Sequence, residues 1–129
     1  MRVTVNVEPF DEIAKFKSLA ARERVTMANP SEAVWFVARN DQGDVLGFVC
    51  AVIKKLTARY KSDYVFPANR GKNIYQALFS ARDEYCRARR IKRTTAFCTP
   101  MSLGTYLRRG FKGDKKNKNG IVFVKREEI

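Results

Sequence analysis

Phe66-Pro67-Ala68-Asn69-Arg70-Gly71-Lys72-Asn73-Ile74-Tyr75, between Val65 and a long amphipathic run, is the stretch of this chain best suited to chemistry. It reads as a strand halted by Pro67, a short basic turn with one glycine, and the first turn of a helix. The opening N–H groups of a helix have no partner inside it, and the helix dipole places positive charge at that end. Such a turn suits a phosphate or pyrophosphate, and Arg70 and Lys72 add formal charge at the same place. Turn chemistry alone also accounts for Pro, Gly and two basic residues here.

The chain has no histidine, so the commonest general base is missing. Acid–base work falls to Tyr, Asp, Glu, Cys, Lys or water. Three cysteines, Cys50, Cys86 and Cys98, form an odd set without ligand spacing, which argues against a disulfide framework or a zinc site. Cys98 is a poor nucleophile candidate, because free cysteines are usually buried and no base lies near it in the pattern. No metal is expected.

The elements that must position these groups follow from periodicity. Valine alternates with polar residues from Arg2 to Val7, giving a first strand with one buried face. Asp11 is a plausible N-cap for a helix carrying Phe10, Ile13, Ala14, Phe16 and Ala20, to about Arg22. The runs 34–38 and 45–53 flank Asp41-Gln42-Gly43-Asp44 as a hairpin, the second run apolar on both faces and therefore central. Trp35 belongs to the core. Gly47 marks a bulge, a close ligand approach or simple packing. From Thr57 to Phe66 a strand alternates Tyr60, Ser62, Tyr64 and Phe66 with Arg59, Lys61, Asp63 and Val65. The charged second face belongs to a sheet edge or lines a polar cleft.

After the basic turn, Ile74, Ala77, Leu78, Ala81, Tyr85 and Ala88 form a helical stripe to about Arg89, with Arg82, Asp83, Arg87 and Arg89 on the outer face. A strand follows over 94–98. Ser102 caps a helix to Arg109, Gly110 stops it, and a hairpin closes the chain from Phe111 through a loop at 115–120 to 121–124. The order β-α-β-β-β-α-β-α-β-β predicts an α/β fold, a mixed central sheet of about six or seven strands with three to four helices on its faces.

With 129 residues and 45% hydrophobic composition, one domain spanning 1–129 is expected. Mean hydropathy is −0.39. No apolar signal core or membrane-length segment is present, which points to a cytoplasmic protein without a membrane partner. The 26 Lys and Arg against 13 Asp and Glu give a net charge of +13, an attraction for polyanions that leaves nucleic acid open as a partner.

The element order, the stretch from Val65 to Leu78 and the later Tyr106-Leu107-Arg108-Arg109-Gly110-Phe111 together resemble the GNAT superfamily of N-acyltransferases. Its members typically show a Val-x-Pro-x-x-Arg-Gly-x-Gly-x-Gly cradle and a later Tyr-x-x-x-Gly-Phe. The resemblance covers the whole chain and is sharpest from Thr57 to Phe111. It implies a GNAT-like fold and transfer of an acetyl group from acetyl-CoA to a primary amine, by a monomer or homodimer. It also implies that Arg70, Gly71, Lys72, Asn73, Ile74 and Tyr75 hold the CoA pyrophosphate. Val65 and Phe66 would align the pantetheine, with Thr99 and Ser102 on the cofactor as well. Tyr106 would protonate the leaving sulfur, a sensible task for a phenol. Asn73 and Tyr75 stand where the family has glycines, so the Tyr75 ring must point away from the phosphates or partly cover the site. Thr99 stands where many members have Asn. No carboxylate is marked by motif as the base. Asp63 is the best candidate, with structural pairing to Arg59 or Lys61 as its alternative. A GNAT-like protein that binds or modifies nucleic acid is the second functional expectation.

Overall fold

Residues 33–39 and 45–54 are largely apolar, and they form two interior strands of the sheet. The computed structural model describes residues 2–116 and 119–129. Its strands are β1 (Thr4–Glu8), β2 (Ala33–Arg39), β3 (Val45–Lys54), β4 (Thr57–Val65), β5 (Arg93–Cys98), β6 (Lys112–Lys116) and β7 (Val122–Arg126). The α-helices are α1 (Lys17–Ala21), α2 (Ile74–Ala88) and α3 (Pro100–Arg108). The strands make one seven-stranded sheet in the order β1-β2-β3-β4-β5-β7-β6. Every neighbour pair is antiparallel except β4 and β5, which run parallel.

The sheet has a core on each face. Phe36, Val49, Tyr60, Leu78, Phe79, Cys86 and Tyr106 pack on the side covered by α2. Ile13, Met27, Trp35, Val37, Phe48 and Tyr64 pack on the other, beneath the segment between β1 and β2. Trp35 is 2% exposed, as a core residue should be.

Several local expectations are corrected. Asp11 does not cap a long helix: Phe10–Glu12 and Ala14–Phe16 are 3₁₀ turns and only Lys17–Ala21 is α-helical. The physical reason is the spacing of Phe10, Ile13 and Phe16, three residues apart, which matches a helix with three residues per turn. Val7 is 51% exposed, so the first strand does not bury one clean face. Ser102 is not the N-cap of α3. Thr99 holds that position, Pro100 supplies the pre-set φ of the first turn, and the Ser102 hydroxyl donates to the Thr99 carbonyl at 3.3 Å. Gly110 has φ +92° and ends that helix as expected. Lys115 and Lys116 belong to β6 rather than to the loop expected at 115–120, and Asn117 and Lys118 of that loop lie outside the described residues.

The strict alternation read along β4 is also corrected. Opposite β3 the register jumps: Phe48 faces Tyr64 while Cys50 faces Lys61, so Val49 is opposed by the two residues Ser62 and Asp63. This is a β-bulge, and Ser62 has φ +61° within it. The extra residue reverses the phase of the strand. Lys61, Ser62 and Tyr64 face one core, while Tyr60, Asp63 and Val65 face α2. Pairing of β4 with β5 covers Thr57–Tyr60 against Arg93–Ala96 and stops there, so the two parallel strands part just where the bulge begins.

Candidate functional site

The gap between the parting strands opens into a cleft of about 320 Å³. Asp63, Tyr64 and Val65 from β4 form one wall, Thr99, Met101 and Ser102 after β5 form another, and the turn from Asn69 to Gln76 closes the end. Gly47 keeps the β4 wall in place. A Cβ built there would lie 2.7 Å from the Tyr64 carbonyl oxygen and 3.0 Å from the Val65 Cα, so Gly47 serves as a packing glycine between two backbones, with a register shift of β2 against β3 beside it.

The turn that closes the cleft has the features of an anion cradle. Gly71 has φ +78° with open space where a side chain would sit, and Asn73 stands at φ +62°, a left-handed conformation that asparagine tolerates. The Ala77 N–H donates to the Asn73 carbonyl at 3.1 Å, while the N–H groups of residues 71–76 make no hydrogen bond to another described residue. These donors, the open Gly71 position and the end of the 15-residue helix α2 fit a diphosphate. The Arg70 guanidinium is partly occupied, donating from Nε to the Val65 carbonyl at 2.9 Å and from Nη2 to Glu23 at 2.7 Å.

At the floor of the cleft lies a buried polar cluster. Asp63 receives both ends of the Arg82 guanidinium, Nη1 to Oδ1 at 2.7 Å and Nη2 to Oδ2 at 3.0 Å. Its Oδ2 also accepts the hydroxyls of Tyr75 at 2.5 Å and Tyr106 at 2.7 Å. Arg82 is 0% exposed; it donates again to the Cys50 carbonyl at 3.0 Å and lies 3.9 Å from the centre of the Tyr60 ring. Burial opposes the Arg82 charge, but Asp63 and the neighbouring phenols outweigh it and hold the guanidinium more firmly protonated. Burial, reinforced by the Asp63 charge, pushes both the Tyr75 and Tyr106 phenols well above their ordinary range. A second buried pair, Arg126 with Asp83 at 2.7 Å, braces the cluster from behind and takes the Tyr60 hydroxyl on Asp83 Oδ1 at 2.7 Å.

The cleft gathers Asp63, Val65, Arg70, Gly71, Asn73, Ile74, Tyr75, Thr99 and Ser102. Phe66 and Lys72 do not line it, although both flank residues that do; the Phe66 ring packs against Phe16 at 4.8 Å. Tyr106 is 3% exposed and does not line the cleft either. Its hydroxyl is separated from the cleft by Asp63 and Tyr75. The Tyr75 ring crosses to Asp63 and so forms part of the wall, leaving the basic turn uncovered. Asp63 pairs with Arg82 rather than with Arg59 or Lys61, because the bulge turns it toward α2.

Arg82 and Asp83 are corrections to the helix reading, since both are buried and not on an outer face. The signal was present in the spacing: Arg82 falls on the Ile74, Leu78 and Cys86 stripe at steps of four, a charged residue at a core position. Glu23, which also lines the cleft, carries no sequence signal. The exposed Arg87, Arg89 and Arg90 stand at the opposite end of α2 from the cradle, about 20 Å away at 1.5 Å per residue. Cys98 is buried, and burial pushes its thiol up to about 11. Among the described residues no group of His, Cys, Asp or Glu could hold a metal ion, and no helix is long and apolar enough to cross a membrane.

The fold recurs in solved structures. The ribosomal-protein-S18-alanine N-acetyltransferase of Escherichia coli superposes with a TM-score of 0.82 at 9% identity, over 99% of this chain and 96% of that one. Ard1 from Thermoplasma volcanium gives 0.81 at 15% identity, over 100% and 99%. The PaiA N-acetyltransferase of Thermoplasma acidophilum, in complex with coenzyme A, gives 0.79 at 11% identity, over 98% and 99%. No curated protein sequence matches the chain. At these identities the structures establish the fold alone, a mixed sheet whose parallel pair parts beside a helix N-terminus. The sequence itself matches the model of the acetyltransferase (GNAT) domain over residues 5–127. With that match spanning nearly its full length, the chain belongs to the GNAT acetyltransferases, acyltransferases whose usual co-substrate is acetyl-CoA.

Proposed function

We propose that this protein transfers the acetyl group of acetyl-CoA directly to a primary amine in the cleft between β4 and β5, the chain folding as one catalytic domain. The observation that carries the reading is the row of unpartnered N–H groups from 71 to 76 at one end of a cleft whose floor holds Asp63, Tyr75 and, behind them, Tyr106. When bound, acetyl-CoA supplies an activated acyl group on a sulfur leaving group. The turn at 71–76 with Lys72 holds the pyrophosphate. The β4 end at Val65 and the opposite wall at Thr99 and Ser102 orient the pantetheine arm.

Proton movement follows from the cluster. Of the two tyrosines that line the cleft, Tyr64 and Tyr75, Tyr75 is the one joined to Asp63, so it gives its proton to the leaving sulfur. Asp63 passes the Tyr106 proton on to Tyr75 as the sulfur leaves, the transient charge on the Tyr106 oxygen lies 3.3 Å from Arg82 Nη2, and the proton lost by the amine nitrogen returns through Tyr75 to restore both phenols. A fixed, buried guanidinium beside the developing charge lowers the barrier. Asp63 then acts as a bridge between phenols; four hydrogen bonds already engage its oxygens, which leaves it poorly placed to take a proton from the amine. A nucleic-acid acceptor draws on the net charge of +13 alone, and the exposed arginines at the far end of α2 do not favour it.

The test is calorimetric titration with acetyl-CoA followed by an acetylation assay on small primary amines. Saturable binding and turnover are expected, with Tyr106→Phe losing about 10²- to 10⁴-fold in kcat. No binding at millimolar acetyl-CoA would end the reading, and an undiminished Tyr106→Phe would remove the relay.

A further inference from the structure

Two carboxylates line the cleft, Asp63 and Glu23. Asp63 is saturated by Arg82 and two phenols. Glu23 is held differently. Its Oε1 accepts from Arg70 Nη2 at 2.7 Å, its Oε2 accepts only a long 3.3 Å bond from Tyr64, and its side chain is 29% exposed. The backbone beneath it is fixed. The Glu23 N–H and the Val25 N–H both donate to the Ala20 carbonyl, at 3.0 and 3.1 Å, with Arg24 at φ +64° between them. The following segment is stitched to the β4 bulge, because Ser62 donates to the Thr26 carbonyl at 2.5 Å and Lys61 to the Ala28 carbonyl at 2.7 Å. The bulge that turns Asp63 inward therefore also holds Glu23 over the end of β4.

We infer that Glu23 is the acceptor-recognition residue, its carboxylate taking a second, non-reacting ammonium of a diamine acceptor once Arg70 has left it for the cofactor's pyrophosphate, while the nitrogen that is acylated enters as the free amine. The inference rests on the acyl-transfer reading above. Arg70 is the first residue of the basic turn and spans Glu23 and the Val65 carbonyl with one guanidinium. A diphosphate seated on the N–H groups beside it is a doubly charged competitor for that guanidinium, and charge-assisted pairs to phosphate are strong. Drawing Arg70 across exposes two acceptors in the cleft together: the Val65 carbonyl, for an amide N–H of the pantetheine arm, and the Glu23 carboxylate, for the non-reacting ammonium. Cofactor and amine thus strengthen one another's binding, and the coupling runs both ways. A cationic amine fits Glu23; an acceptor presenting a carboxylate at that spot is repelled.

The test compares wild type with Glu23→Gln, using 1,4-diaminobutane, whose second nitrogen stays cationic at pH 8, and n-butylamine, which lacks a second nitrogen, as acceptors at saturating acetyl-CoA. The KM for 1,4-diaminobutane should rise about 10- to 100-fold, the loss of a charged hydrogen bond. The kcat and the KM for n-butylamine should change less than about threefold on the same reasoning. Calorimetric affinity for acetyl-CoA should be equal or tighter, because Arg70 is no longer held back. Glu23→Asp, which keeps the charge, should recover part of the 1,4-diaminobutane KM and controls for folding. An unchanged 1,4-diaminobutane KM, an equal loss for both acceptors or weaker acetyl-CoA binding overturns the assignment while leaving acyl transfer intact. A wild type that acetylates neither amine defeats the acyl-transfer reading itself, and this inference with it.

Discussion

Replacing Asp63 by Asn keeps the shape of the side chain and removes the only carboxylate among the described residues that Arg82 touches. Arg82 is 0% exposed, its Nε has no hydrogen-bond partner, and the Asp63 side chain is 9% exposed, so water cannot replace the lost charge. Leaving one member of a buried pair alone costs about 3–5 kcal/mol. Unfolding entropy of about 2.1 cal/mol/K per residue, over 129 residues, comes to about 0.27 kcal/mol/K, so the penalty corresponds to a fall in Tm of about 11–18 °C. Differential scanning calorimetry at neutral pH measures it directly. The double variant Asp63→Asn with Arg82→Met removes the stranded charge, and its Tm should lie above that of Asp63→Asn alone. A fall of under about 3 °C for Asp63→Asn, or a double variant no better than the single, would mean that the pair is solvated or that another anion neutralises Arg82. The description of the cleft floor would then fail.

Two further outcomes follow from the same geometry. Gly47→Ala forces a Cβ to within 2.7 Å of the Tyr64 carbonyl, so the end of β4 must shift toward the cleft. Urea unfolding should show a loss of about 1–3 kcal/mol, accompanied by weaker acetyl-CoA binding in calorimetry; unchanged values for both would show that β4 has slack there. In alkali, burial holds the Cys50 and Cys98 thiols protonated up to about 11, whereas a free thiol ionises near 8.5. Because the folded values are raised, stability is fully present below about pH 8.5 and is lost as the pH climbs to about 11, on the order of 3 kcal/mol per thiol. Urea midpoints should therefore drop between pH 8 and 11. Over the same range the tyrosinate absorbance should show Tyr75 and Tyr106 silent until unfolding, since both phenols are raised. An early rise from more than two of the five phenols would contradict the burial of Tyr60, Tyr75 and Tyr106, all three raised.

The sequence by itself determined the element order, the central hairpin and the basic strand-to-helix turn, because each depends on local physics. Alternation and apolar runs select strands, Pro67 stops one, and Gly71 and Asn73 permit a left-handed turn. The pattern Tyr106 to Phe111 joined to that turn was enough to name the family. Only the tertiary structure decided what the cleft contains. The extra residue at Ser62 cannot be recognised without β3 beside it, since a bulge is a mismatch between two strands and not a property of one. That single residue reverses the phase of β4 and turns Asp63 onto α2, where Arg82 waits in the middle of an apolar stripe. Charge alone placed Arg82 and Asp83 at the surface, since a charged side chain enters a core only when a partner from a distant segment neutralises it. Glu23 reaches the cleft by a similar route, through a loop held by the residues of the bulge. Local backbone preference is written in neighbouring residues, whereas the pairing of buried charges is fixed by segments far apart in the chain.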